Sequence, residues 1–240
     1  MASYTNVSPP LSWHISVSVP PAAEATSSEN GSSVPGPAKE GEQKEHFLCS
    51  SDPALVQLDA LHDAISSELL WWAKPMSRTQ LIAMVNNSVC LGVYRVDNSG
   101  EDGNVEKTFH KMVGFARLIT DRVTFAYLTD VYILPAYQRR GLGAWLIRCL
   151  HELCAGSEPE CEGSTPVSTG WPNLRSLWLV ASTPSAARMY MGALGAEEAG
   201  RYRSTPGVPD SGMVLLEMPG PANSTRQRMK AVKPDLPKAE

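Results

Sequence analysis

Apolar residues recur every three or four positions across residues 53–70, at Leu55, Leu58, Leu61, Ile65 and Leu69, the spacing of an amphipathic helix. Ser77 with Gln80 three residues on reads as a capping box that opens a second helix through Val85. The pattern then changes period. Asn86-Asn87 turns the chain, 88–95 is strand-like, and the polar run 97–104 is a hairpin loop. Two more strands are predicted over 111–120 and 123–134, joined by a two-residue turn at Asp121-Arg122. Beyond Pro135 a loop leads to a helix over 141–154 with an inner stripe of Leu146, Cys149, Leu150 and Leu153. Residues 155–173 show no periodicity, and 174–181 is again strand-like. Thr183 is placed to cap a helix whose first residue is Pro184 and which Gly195 ends, and 197–204 and 212–218 are closing strands. Helices first, then strands, then alternation, without internal repeat, predict a single α+β domain over 46–219.

The ends differ from this middle. No Lys or Arg precedes Lys39, and residues 1–38 are mostly Ser, Pro, Ala, Thr, Val and Gly, too poor in large apolar residues to offset the entropy of ordering the backbone. Residues 1–45 are therefore expected to be a disordered tail, its apolar patch 11–19 being interrupted by Ser12, His14, Ser16 and Ser18. The lack of basic residues also argues against a secretory or mitochondrial leader, and no run of 18 apolar residues suggests a membrane helix. Five cysteines without a CxxC pair fit a reducing cytoplasmic or nuclear compartment, and five isolated histidines suggest no metal site.

Of the net charge of −4, residues 1–45 contribute −3, 46–220 contribute −4, and 221–240 contribute +3. An acidic folded region is a poor nucleic-acid binder, because neutralising phosphate needs a basic face. The basic segment 220–240 is expected to be a solvated, disordered end.

The chemistry concentrates in 127–144, where a strand feeds a glycine-containing loop that opens a helix. Unpaired N–H groups and the positive end of the helix dipole converge there, which suits a phosphate. A P-loop requires GxxxxGK, which is absent, and a dinucleotide fingerprint requires glycine where Leu146 stands.

What remains, Gln138-x-x-Gly141-x-Gly143, resembles the Q/R-x-x-G-x-G/A motif of the GNAT acetyltransferase superfamily. Upstream, 130–135 is similar to that family's fourth strand, and downstream 183–190 is similar to its later helix, with a tyrosine in the matching place. The resemblance implies the GNAT fold, a mixed central sheet flanked by helices, and acetyl-CoA as cosubstrate. It implies that Val131, Tyr132 and Ile133 lie along the pantetheine arm. Gln138, Arg139, Arg140, Gly141, Leu142, Gly143 and Ala144 would cradle the pyrophosphate, Thr183 would be a further cofactor contact, and Tyr190 would protonate the departing thiolate. Where polyamine-acetylating relatives carry Glu before the Asp, this chain has Thr129, which leaves Asp130 as the nearest carboxylate for a catalytic base. Strand alternation points Asp130 opposite to Thr129 unless a bulge re-aims it. Gly195 stands five residues after Tyr190, one more than is usual in relatives. Trp71-Trp72 lies between helices that border the acceptor site in the family.

The expected function is transfer of an acetyl group to a small-molecule amine by direct attack in a ternary complex. Two other functions fit the same residues: a non-catalytic CoA-binding module and acetylation of protein amines. A homodimer is an assembly the resemblance allows.

Overall fold

The computed structural model describes residues 9–19, 43–97, 109–157, 170–201 and 212–223. In chain order the elements are β1 (Ser12–Val19), β2 (Gln43–Ser50), α1 (Leu58–Ile65), α2 (Arg78–Asn86), β3 (Val89–Asp97), β4 (Phe109–Thr120), β5 (Phe125–Ile133), α3 (Leu142–Ala155), β6 (Ser176–Ala181), α4 (Pro184–Leu194), β7 (Glu197–Arg201) and β8 (Val214–Pro219). The eight described strands form one sheet in the order β1-β2-β3-β4-β5-β6-β8-β7, antiparallel throughout except between β5 and β6. An α+β architecture follows, as the pattern predicts.

The middle strands of the sheet are covered on both faces. Leu61, Ile65, Leu81 and Val85 from α1 and α2 pack with Cys90, Tyr94, Phe115 and Tyr132 on one face. Leu146, Cys149 and Leu150 of α3 and Ala187, Tyr190 and Leu194 of α4 pack with Leu91, Leu128, Leu177 and Leu179 on the other. Cys49, Cys90, Cys149 and Cys154 are buried free thiols, and burial pushes Cys154 well above the ordinary thiol range. Such thiols are core residues rather than nucleophiles.

Three expectations are corrected. Part of the predicted N-terminal tail is β1, which pairs antiparallel with β2 from Ser12↔Ser50 to Val19↔Gln43. Leu11, Trp13, Ile15 and Val17 are half-buried while the polar residues between them are exposed, so the interruptions of the patch are the alternation of a strand. The indole Nε1–H of Trp13 donates to Glu152 Oε2 at 2.7 Å and ties β1 to α3.

Residues 53–70 do not make one helix. A 3₁₀ turn at Pro53–Leu55, α1, and a second 3₁₀ turn at Glu68–Leu70 follow one another. Ser67 donates to Ala64 O at 2.8 Å and accepts from the N–H of Leu69, so its hydroxyl competes with the helix for backbone partners and ends it.

The third correction is the β4–β5 turn, which spans 121–124 rather than two residues. Asp121 Oδ1 accepts from the N–H groups of Val123, Thr124 and Phe125, and Arg122 takes a left-handed φ of 61°. The Ser77–Gln80 capping box of α2, the Thr183 cap of α4 and the left-handed Gly195 after it are as predicted. The loop 97–104 lies outside the described residues after Asp97, as do most of the segment 155–173, the last part of strand 197–204 and nearly all of 220–240.

Candidate active site

β5 and β6 meet over only four positions, from Phe125↔Ser176 to Leu128↔Leu179. β6 then continues beside β8 to Ala181, while β5 continues beside β4 to Ile133. Among the described residues, no strand lies on the β6 side of β5 from Thr129 onward. The sheet forks, and one edge of β5 is open.

A β-bulge sits where the fork begins. Arg117 opposes Thr129 and Phe115 opposes Tyr132, so β5 carries one more residue than β4 over this interval. Asp130 takes up the extra residue with a φ of 51°, a conformation that Asp tolerates better than most residues. Its carboxylate is buried and fully engaged. Oδ2 accepts from Arg117 Nε at 2.7 Å and pairs with Nη2 at 2.6 Å, and Oδ1 accepts from the Thr129 hydroxyl at 3.2 Å. Arg117 Nη1 also donates to Ser88 Oγ at 3.2 Å. The bulge thus brings Thr129 and Asp130 to the same side, against simple alternation.

Beyond the bulge the backbone is aimed at the fork. The N–H of Leu134 donates to Val113 O at 2.8 Å on the β4 side, so the Ile133 carbonyl, antiparallel to it across the same peptide plane, faces the open side. Alternation turns the backbone of Val131 the same way, while the Tyr132 ring is buried against Phe115. The Ile133 carbonyl is occupied, because Gln138 Nε2 donates to it at 2.8 Å. Gln138 therefore fastens the loop to the strand.

After the 3₁₀ turn at Pro135–Tyr137, left-handed residues at Arg139 (φ 60°) and Gly141 (φ 79°) turn the chain into α3. No side chain caps α3, and its first internal bond runs from Trp145 N–H to Gly141 O at 3.0 Å. The N–H groups of Leu142, Gly143 and Ala144 precede that bond and have no acceptor within the helix. At Gly143 a β-carbon would stand 3.4 Å from Met189 Sδ, an ordinary van der Waals contact, so the packing of α3 on α4 does not itself require glycine there. The Leu142 side chain is buried, which leaves its backbone alone for a ligand.

The two arginines diverge. Arg139 is exposed. Arg140 folds away into an ion pair with Glu45, donates to Ala136 O at 2.9 Å and lies over the Tyr137 ring at 5.2 Å. The Thr183 hydroxyl accepts from Ala186 N–H at 3.1 Å as the α4 cap. Tyr190, on α4, is buried in the cluster that contains Ile133 and Leu142, and burial pushes its phenol up to about 12. At neutral pH it holds its proton. Trp71 and Trp72 are 60% and 44% exposed and follow the 3₁₀ turn that packs on β5. Sequence patterns missed Glu45 and Arg117, for which only the sheet register provides a signal. Among the described residues no group of three or more His, Cys, Asp and Glu is placed to hold a metal, and no helix is long and apolar enough to cross a membrane.

A mixed sheet forked beside an uncapped helix start suits a ligand with an anionic end and an arm that pairs as a strand does. Comparison with known proteins agrees with it. Residues 100–191 match the family profile of the acetyltransferase (GNAT) domain. A protein of Gibberella zeae named "Putative acetyltransferase FG08082" is 35% identical over 179 residues, which is 72% of this chain and 90% of that protein. The histone acetyltransferase TAP1 of Glycine max is 30% identical over 105 residues, covering 43% of this chain and 42% of its own. Among solved structures, the ribosomal-protein-S18-alanine N-acetyltransferase of Escherichia coli is similar at 22% identity and a TM-score of 0.44, over 72% of this chain and 93% of that one. The chain belongs to the GNAT acetyltransferase family. It is a GNAT-type N-acetyltransferase, and the family uses acetyl-CoA.

Proposed function

We propose that the protein transfers the acetyl group of acetyl-CoA directly to the primary amine of a small molecule within a ternary complex. The observation that carries this is the fork: an open β5 edge ends beside three uncapped N–H groups and one exposed arginine. Those donors suit a diphosphate, and the edge suits an amide-containing arm that can pair as a strand does. Acetyl-CoA supplies a thioester whose carbonyl carbon a neutral amine attacks, with departure of the CoA thiolate.

The chain's own groups divide the remaining work. The Val131 backbone holds the arm, and a backbone N–H of β5 faces the charge that develops on the carbonyl oxygen. Tyr190, still protonated at working pH, donates to the thiolate. Asp130 shapes the bulge, because its oxygens are already bonded to Arg117 and Thr129. The amine proton leaves to water. The acidic folded region favours a cationic acceptor. A protein amine is the second reading, supported by the stretch shared with the relative named as a histone acetyltransferase.

Purified full-length protein is incubated with acetyl-CoA and a panel of small amines and peptides, and thiol release is followed. Turnover on a small amine is expected, with Tyr190→Phe lowering kcat by about tenfold while acetyl-CoA affinity is kept. That loss is below the usual general-acid effect of ~100-fold because a thiolate leaves readily. Turnover on peptides alone would move the acceptor to proteins. Acetyl-CoA binding without turnover on any amine would overturn the proposal.

A further inference from the structure

Arg140 stands directly before Gly141, yet its guanidinium is committed elsewhere. Glu45 on β2 receives two cations. Its Oε2 pairs with Arg140 Nη1, and its Oε1 lies 3.7 Å from Arg95 Nη1 on β3. Arg95 is held in turn by Asp97, with Nε donating at 2.8 Å and Nη2 at 2.6 Å, and its Nη1 donates to the Tyr137 hydroxyl at 3.4 Å. Tyr137 lies under Arg140 and packs edge-on against Phe47 of β2. The loop that opens α3 is thus tied to β2 and β3 by an alternating chain of two carboxylates, two guanidiniums and one phenol. Glu45, Arg140 and Arg95 are all partly buried, with side chains 23%, 27% and 36% exposed.

The conformation this chain holds is one that the loop does not favour by itself. Arg139 is a non-glycine residue in the left-handed region, where its β-carbon crowds the backbone. Such a backbone persists only where its surroundings over-determine it. Gln138 fixes the loop on the near side of Arg139, and Arg140 fixes it on the far side.

We propose that Glu45 is a positioning residue for the diphosphate cradle: by clamping Arg140 with the help of Arg95, it holds the backbone from Gln138 to Ala144 in its anion-binding form. The inference rests on the assignment of that loop to the cofactor diphosphate. It also changes the part assigned to Arg140, which acts through the loop and not as a ligand. Val17 of β1 is the register partner of Glu45, so the N-terminal strand backs the clamp.

Electrostatics and positioning predict opposite signs. Glu45→Gln removes a negative charge near the cradle, which by Coulomb attraction alone would tighten binding of a diphosphate. As a positioning residue, its loss must weaken that binding. Two measurements on the full chain test this.

Hydrogen exchange of ligand-free Glu45→Gln is expected to be faster across residues 138–144 and unchanged in the β3–β5 core. Unchanged exchange in the loop overturns the clamp, whatever the protein acetylates. Titration with acetyl-CoA is expected to show affinity reduced by about tenfold, the scale on which supporting partners of a binding group act, with kcat at saturation and the amine KM within about twofold of wild type. Glu45→Asp is expected to recover part of the affinity. Equal or tighter binding by Glu45→Gln overturns the proposal. Faster loop exchange together with a wild type that does not bind acetyl-CoA would keep the clamp and refute the assigned ligand.

Discussion

Asp130 carries two costs at once, a left-handed backbone and a carboxylate removed from water. Both are met by the guanidinium of Arg117, which reaches Asp130 across the strand pair and also binds Ser88. Removing one member of a buried pair leaves the other charge unpaired, which costs about 3 kcal/mol or more. Asp130→Asn keeps a side chain that tolerates φ > 0 but strips Arg117 of its partner. It is expected to lose about 3 kcal/mol in urea denaturation. Asp130→Ala is expected to lose more, since alanine is less tolerant of that backbone. If Asp130→Asn kept wild-type stability and lost all turnover, the carboxylate would be a catalytic base rather than the anchor of the bulge. The sequence marks Asp130 as a carboxylate on a strand, but its direction depends on a bulge that appears only when β4 and β5 are aligned.

At the scale of elements, β1 shows a local pattern whose meaning depends on a distant partner. The alternation Trp13, His14, Ile15, Ser16, Val17 is visible in the sequence, yet it stands in a stretch whose composition suggests no core, and its partner strand lies beyond residue 42. A strand of this kind gains stability only from a distant neighbour. The helix capping signals at Ser77 and Thr183 act within three residues and were readable for that reason. The loop that opens α3 was legible on the same ground, because Gln138, Gly141 and Gly143 are close in sequence. The Glu45–Arg140 pair spans 95 residues and was not. Deleting residues 1–19 would uncover the edge of β2 and the apolar face that Trp13, Ile15 and Val17 cover. A loss on the order of 3 kcal/mol is expected from that burial. Thermal unfolding and light scattering check it, and a truncated chain with unchanged midpoint and no added aggregation would show that β1 contributes nothing to the sheet.

For the molecule as a whole, the abundance of buried acids that are neutral at physiological pH sets its alkaline limit. Burial raises the Cys90 thiol from 9.0 to about 12 and the Tyr190 phenol from 10.0 to about 12, and pushes Tyr94, Tyr132 and Cys154 upward as well. Above pH 9.0 the unfolded chain releases protons that the folded chain retains, so the unfolded state binds fewer protons and stability falls as pH rises toward 12. Below that range the contribution is complete. The urea midpoint is expected to be level up to about pH 8 and to decline between pH 9.0 and 10.0, with a shallower early decline in Cys90→Ala. A midpoint that stays level through that interval would contradict the burial of these groups.

The four-position seam between β5 and β6 also imposes an order of assembly. β3, β4 and β5 are sequential antiparallel neighbours, whereas β6 returns to β5 only after the crossover that contains α3. Contacts closed over long stretches of chain form late, because the entropy of closure is spent before any pairing rewards it. The two walls of the fork are therefore built at different times, and the start of α3 lies on the covalent link between them. By this ordering, the complete fork comes late in folding and is lost early in unfolding.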